Sequence, residues 1–248
     1  MDSEQLQSEH YDRIAHLYET HYGDECSQNY RVKFFFEPMF EGIDLRGKRV
    51  LDAMCGSGES VSYLLSQGAE VTGLDISRRE IDSFERRWPD CTAVCASMFD
   101  SGLESDSFDC VAVVGGLHHL HPKLNEAIHE IARILKPGGH FCFVEPHSGS
   151  IPDVIRQRWY KHDSLFADNE AAVDMRELKK EFAGKFDFIR ESYSGNVAYL
   201  LVLNSLVFRI PLRWKPFYSP AAISLEALLN KLQGKLLSCF VVAQWQKK

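Results

Sequence analysis

Two periodicities alternate along the chain between residues 46 and 146. Short runs rich in β-branched and other apolar residues occupy 48–53 (KRVLDA), 70–75 (EVTGLD), 91–96, 108–115 (FDCVAVVG) and 140–145. Between them, at 59–67, 77–87 and 122–135, apolar residues recur every three or four positions. A period near two marks a strand and one near 3.6 a helix. Their alternation predicts parallel strands joined by helical crossovers, an α/β doubly wound sheet covered on both faces.

The flanks read differently. Residues 1–45 predict two amphipathic helices, about 4–21 and 28–41 with Gly23 between them, as a cap over a sheet edge or the mouth of a site. After residue 146 come a polar, basic stretch at 152–165, a helix at 174–183, and two further strands at 186–193 and 236–245. The intervening excursion, 195–234, is too long for a plain turn and is expected to be helical. It holds the most apolar run, 197–203 (VAYLLVL), resumed at 206–208. No transmembrane segment is expected, because Asn204, Ser205, Arg209 and Pro211 interrupt that run well short of the roughly twenty apolar residues a span needs. The following stretch, 209–220 (RIPLRWKPFYSP), interleaves cations with aromatics. Either it is a lid that meets a lipophilic substrate or a peripheral membrane surface, or its helix packs on the sheet with the cations solvated.

Composition then narrows the field. With 248 residues, 45% of them hydrophobic and 25% charged, one core and a single domain over 1–248 are expected. Its parts are a helical cap (1–45), a ligand-binding core (46–146) and a remainder (147–248) holding the insertion and the last strand pair. A net charge of −7 and the lack of a basic stripe argue against nucleic acid as a partner. The first twenty residues carry no apolar secretory run, so a cytoplasmic location is expected. Seven scattered cysteines fit reduced thiols, and Cys91 and Cys95 have no second pair with which to make a zinc site. The apolar insertion could also pair two chains.

The turn after the first strand, 52–59 (DAMCGSGE), is the most informative stretch. Gly56 and Gly58 at a strand-to-helix junction let the backbone approach a ligand, and helix N–H groups then face it. Asp75 ends the second strand nineteen residues after Gly56, placed to accept both hydroxyls of a ribose. Val61 stands where a dinucleotide fingerprint has its third glycine, which counts against a nicotinamide-dependent oxidoreductase.

VLDAMCGSG, VTGLDIS, SFDCVAVVGGLHHL and IARILKPGGHFCFVEP, in this order and spacing, resemble the class I S-adenosylmethionine-dependent methyltransferases of the type-11 group, which modify small molecules, lipids and sugars. The resemblance covers about residues 9–146. It implies a Rossmann-like, mostly parallel sheet of seven strands with the last one antiparallel. It also implies S-adenosyl-L-methionine as cofactor, with Asp52, Gly56 and Gly115 by the methionine part and Gly58 among the cofactor-binding residues of the same turn. Asp75 would take the ribose, Ile76 the adenine face, and Ser97 and Met98 the adenine edge, while Tyr11 and Tyr18 in YDRIAHLYE would close over the cofactor. Leu117 and His118 would face the methyl group. Met54 replaces the usual first glycine of the turn and Ser97 the usual acid, departures that leave room for a non-catalytic binding subunit.

In such chemistry the methyl passes by in-line displacement, and a hydroxyl acceptor gains roughly 10²–10⁴-fold from a general base. His118 is the candidate base with His119 beside it, just past the fourth strand, where open parallel sheets bind ligands. His118, His121 and His147 are ligand types for a metal but lack a familiar spacing, so none is expected. His147, Arg158 and Tyr160 follow the fifth strand as pocket lining or plain loop surface. The expected partner is a small-molecule methyl acceptor, most simply an oxygen on a lipophilic or glycosylated metabolite.

Overall fold

A computed structural model of the chain describes residues 23–160 and 171–248. The helix expected at 4–21, and with it Tyr11 and Tyr18, lies outside the described residues. Among the described residues, β1 (Arg49–Ala53), β2 (Glu70–Asp75), β3 (Thr92–Cys95), β4 (Phe108–Val114), β5 (Leu135–Pro146), β6 (Phe186–Ser194) and β7 (Phe240–Lys247) form one sheet in the order β3-β2-β1-β4-β5-β7-β6. The first five strands are parallel, and β7 lies antiparallel between β5 and β6. The seven-stranded, Rossmann-like sheet with an antiparallel last strand is thus the one expected.

Helices cover both faces. On one face α2 (Val61–Ser66) and α3 (Arg78–Arg87) share a core with α1 (Glu25–Arg31), which runs on through a π-helical stretch, Val32–Phe36, and the turn Glu37–Met39. The insertion joins the same core with a π-helical turn, Tyr199–Leu203, and with Ala222 of the long helix that follows it. On the other face lie α4 (Leu124–Ile134) and α6 (Met175–Phe182), sealing Phe141, Phe143 and Trp245. Between them in sequence are α5 (Ile151–Tyr160), in the stretch read as basic and polar, and beyond them α7 (Lys215–Leu229) within the insertion.

Local chemistry sets the boundaries. Asp24 accepts from the backbone N–H groups of Cys26 and Ser27, so α1 starts at Glu25 and not near residue 28. Ser77 caps α3 by accepting from Glu80 N, and Asp174 caps α6 by accepting from Arg176 N and Glu177 N. The LKPGG segment, between the helical pattern ending at 135 and the strand expected at 140–145, is a bulge inside β5: Leu135 pairs with Phe108 and His140 with Cys110, so the residues between them loop out. A Cβ on Gly139 would lie 2.8 Å from Lys136 O, which is why the bulge ends in glycine. β7 begins at Phe240, later than its apolar pattern indicates, because Lys235–Leu237 form a 3₁₀ turn. The order reverses between β1 and β4, and the C-terminal ends of those strands are where an open sheet binds ligands.

Candidate functional site

The turn after β1 sits at that reversal. Gly56 (φ +51) donates its N–H to Asp75 Oδ2 at 2.9 Å, while Asp75 Oδ1 accepts from Ser77 N at 2.9 Å. Asp75 therefore holds the glycine turn and the start of α3 together, and each of its oxygens keeps a second lone pair for a ligand. Gly58 also serves the packing of the turn. A Cβ there would lie 2.6 Å from Trp88 Nε1, and that indole donates to Ser57 O at 3.2 Å, so only glycine lets the turn pack on Trp88. Gly115 (φ +68), past β4, faces open space, since a Cβ there would meet nothing within 4 Å.

Charge around the turn favours a cation. Asp52 is buried, accepts from Ser60 Oγ, and is pushed up to about 7 by its desolvation. The Glu59 and Asp75 charges push it further in the same direction. Glu59 and Glu80 reach toward Gly56, their Oε2 atoms 3.6 and 3.8 Å from where its Cβ would be. Desolvation likewise raises Asp75. Four carboxyl groups around one turn suit a sulfonium or amino group and oppose the pyrophosphate of a dinucleotide. The donor set and the open side of Gly115 thus fit the expected cofactor.

Ile76 is half-buried at the end of β2, and Ser97 Oγ accepts from Phe99 N at 3.1 Å. Met98 buries its side chain in the core, so what it offers a ligand is backbone. Met54, at the usual glycine position, adopts φ +58, and its side chain occupies the space that Gly116 leaves: a Cβ on Gly116 would lie 2.7 Å from Met54 Sδ.

Beyond β4 the chain makes a 3₁₀ turn, Leu117–His119, capped by a group the sequence reading overlooked. Glu145, fully buried near the end of β5, accepts from Gly116 N and Leu117 N on Oε1, both at 2.7 Å. Its Oε2 lies 2.8 Å from His118 Nδ1 and 3.3 Å from His118 N. The signal for it was a carboxylate closing an otherwise apolar strand, which is sustainable only with several donors around it. Desolvation pushes His118 down to about 3, assisted by the Arg156 and His121 charges, so its ring is neutral. Desolvation pushes Glu145 up to about 8 against the three backbone N–H donors. The protonation of Glu145 sets the tautomer. A protonated Oε2 donates to Nδ1 and leaves Nε2–H, whereas the carboxylate accepts Nδ1–H and leaves the Nε2 lone pair free.

The other histidines divide. His119 is buried with its ring centroid 3.8 Å from that of His118. His147 is not loop surface: it is buried, with Nδ1 3.1 Å from Ser148 O and Nε2 2.7 Å from Ser238 Oγ, which spends both nitrogens on structure. No group of three or more metal-ligating side chains assembles among the described residues.

Comparisons with known proteins locate the resemblance in the same residues. A family model described as a methyltransferase domain matches residues 51–143. An uncharacterised methyltransferase of Synechocystis is 36% identical over 105 residues, 42% of this chain and 50% of that protein. A fatty-acid O-methyltransferase of Mycolicibacterium smegmatis is 29% identical over 206 residues, 80% of this chain and 69% of that one. The chain therefore spans about half the length of the first relative and about two thirds of the second. A crystal structure of a SAM-dependent methyltransferase from Archaeoglobus fulgidus superposes with a TM-score of 0.62 at 20% identity, covering 94% of this chain and 99% of that one.

Proposed function

From the premise that residues 51–143 form a class I S-adenosylmethionine-dependent methyltransferase domain, we propose that the chain methylates an oxygen of a lipophilic small molecule, with His118 as general base and Glu145 as its positioning residue. The observation that carries this reading is the Glu145–His118 pair set past β4, beside the open side of Gly115. The fatty-acid O-methyltransferase supports a lipophilic acceptor.

When bound, S-adenosylmethionine supplies an electrophilic sulfonium methyl. Asp75 would hold the ribose hydroxyls with its spare lone pairs, Gly56 and Gly115 would admit the methionine part, and Asp52 and Glu59 would offset its positive charge. His118 Nε2 takes the proton of an acceptor O–H, whose electron pair stays on the oxygen, while Nδ1–H remains bonded to the Glu145 carboxylate. The His118 and Glu145 side chains are only 12% and 0% exposed, which shields their hydrogen bond from water.

A transfer assay with labelled methyl groups tests the reading over a panel of hydroxylated and carboxylic lipids and polar controls. Label should enter the lipophilic acceptors, and His118→Gln should lower kcat on a hydroxyl acceptor about 10²-fold or more with little change in cofactor affinity. A carboxylic acceptor is already ionised and should lose much less. Label entering only polar acceptors, or full activity in His118→Gln on hydroxyls, would overturn it.

A further inference from the structure

Helix α7 is amphipathic in the unusual sense. Its buried face carries Lys215, Ser219, Ala222 and Glu226, spaced four, three and four apart. Each polar member of that face has a partner. Lys215 Nζ donates to Asp24 and to Ser27 Oγ, Ser219 Oγ donates to Lys215 O at 2.6 Å, and Glu226 accepts from Tyr30 OH, Tyr199 N and Asn196 N. Several large apolar residues point outward, while Tyr218, Ile223 and Ala227 pack on the core. Phe217, Leu225 and Leu228 follow helical spacing along one stripe, with Phe217 80% exposed, and Leu232 just beyond the helix is also 80% exposed. At the N-terminal end Trp214 lies with its ring 6.2 Å from that of Phe217 and is itself exposed. Near the other end the turn Lys235–Leu237 exposes Leu236 and packs on α5, whose Val154 and Ile155 are exposed too.

Along this stretch of chain the exposed charges have one sign, while the buried Lys215 is paired with Asp24 before α1. Between residues 205 and 239 stand Arg209, Arg213, Lys215, Lys231 and Lys235 against a lone acid, Glu226, which is buried on the opposite face, in a chain of net charge −7. Arg213, Lys231 and Lys235 are exposed at the two ends of the stripe. Aromatic and aliphatic side chains facing outward, bordered by cations on an otherwise acidic protein, are complementary to an anionic lipid surface: the apolar groups enter the acyl boundary while the cations meet headgroup phosphates. A second copy of the chain would set these same cations against each other across a two-fold axis, which favours the lipid over self-pairing.

We propose that the outward stripe of α7, with Trp214 before it and the turn Lys235–Leu237 after it, docks the protein on anionic phospholipid bilayers. This surface is independent of methyl transfer, so it stands or falls separately from the proposed activity.

Co-sedimentation with vesicles tests it. Wild type should partition roughly tenfold or more strongly onto phosphatidylcholine mixed with phosphatidylglycerol than onto phosphatidylcholine alone, and added salt should weaken that preference. The variant Phe217→Glu/Leu228→Glu should lose vesicle binding. The variant Arg213→Glu/Lys231→Glu/Lys235→Glu should lose the preference for anionic lipid. Trp214 emission should shift to the blue on anionic vesicles, and Trp214→Phe should remove that shift. Both multiple variants should bind S-adenosylmethionine like wild type. Should the apolar variant fail to fold, the charge variant alone decides. Equal, weak sedimentation with both vesicle types overturns the proposal, as does a solution dimer dissolved by Phe217→Glu/Leu228→Glu without any vesicle binding.

Discussion

Met54 holds a left-handed backbone, φ +58, that ordinarily costs a side-chain-bearing residue on the order of 1 kcal/mol, and it is tolerated because Gly116 leaves its thioether room. Gly116→Ala should therefore destabilise the protein by about 1–3 kcal/mol in urea unfolding. Met54→Gly in that background should recover most of the loss, and a double-mutant cycle should show strong coupling. Additive effects would mean that the two residues do not share this space. A second residue-scale consequence concerns protons. His118 stays neutral down to about 3, so its own protonation produces no loss of rate near its usual value of 6.5. Glu145 is the group that titrates, at about 8. Below that value its proton sits between Oε2 and Nδ1 and leaves Nε2 as a donor; above it Nε2 is a base. kcat/KM on a hydroxyl acceptor should thus rise with pH to a plateau through about 8, and Glu145→Gln should flatten the rise and lower the plateau. A wild-type profile that falls away below pH 6.5 in the manner of an ordinary histidine base would count against this assignment. Asp75, Gly56 and His118 could be singled out as candidates from the sequence because glycine spacing and strand ends carry local signals. Glu145 was hidden, since its role depends on a neighbouring strand bringing it to within 2.8 Å of a ring 27 residues away.

At the scale of elements, strands and helices of the central hundred residues followed their periodicity, while the departures occurred where tertiary contacts decide. The LKPGG segment fell between the predicted helix and strand, yet β4 and β7 hold it as a bulge: Lys136 pairs with Asp109 at 2.9 Å and Lys247 donates to Leu135 O. Helix α7 was the hardest to read, because it buries polar residues and exposes apolar ones, the reverse of the rule by which amphipathic helices are recognised. Its burial becomes intelligible only with α1 in place. Glu226 receives Tyr30 OH and two backbone N–H groups from the insertion, and so ties α1, the π-helical turn and α7 into one unit. Tyr30→Phe removes one of these donors from a buried carboxyl group that desolvation already raises, and it should cost about 1–3 kcal/mol in urea unfolding. A loss near zero would show that the insertion is held by apolar packing alone.

The whole molecule divides its labour unevenly. The sheet from β1 to β5 carries the residues that fit the cofactor, and these coincide with the stretch matched by the family model, residues 51–143. The flanking elements cover one face of the sheet and carry the outward stripe, and the sequence announced them only as apolar runs and cations without assigning a direction to either. Among the described residues no helix is long and apolar enough to cross a membrane, in keeping with the interrupted run after Val197. All seven thiols are free, as their scattered spacing indicated. Calorimetric titration of S-adenosylmethionine tests most directly whether the cofactor meets the turn at Gly56 and is clasped by Asp75. Wild type should bind at a single site, and Asp75→Ala, checked for its unfolding midpoint, should bind at least about tenfold more weakly, as expected for two lost hydrogen bonds to a charged group. Absence of binding by wild type at millimolar ligand, or unchanged affinity in a folded Asp75→Ala, would contradict it.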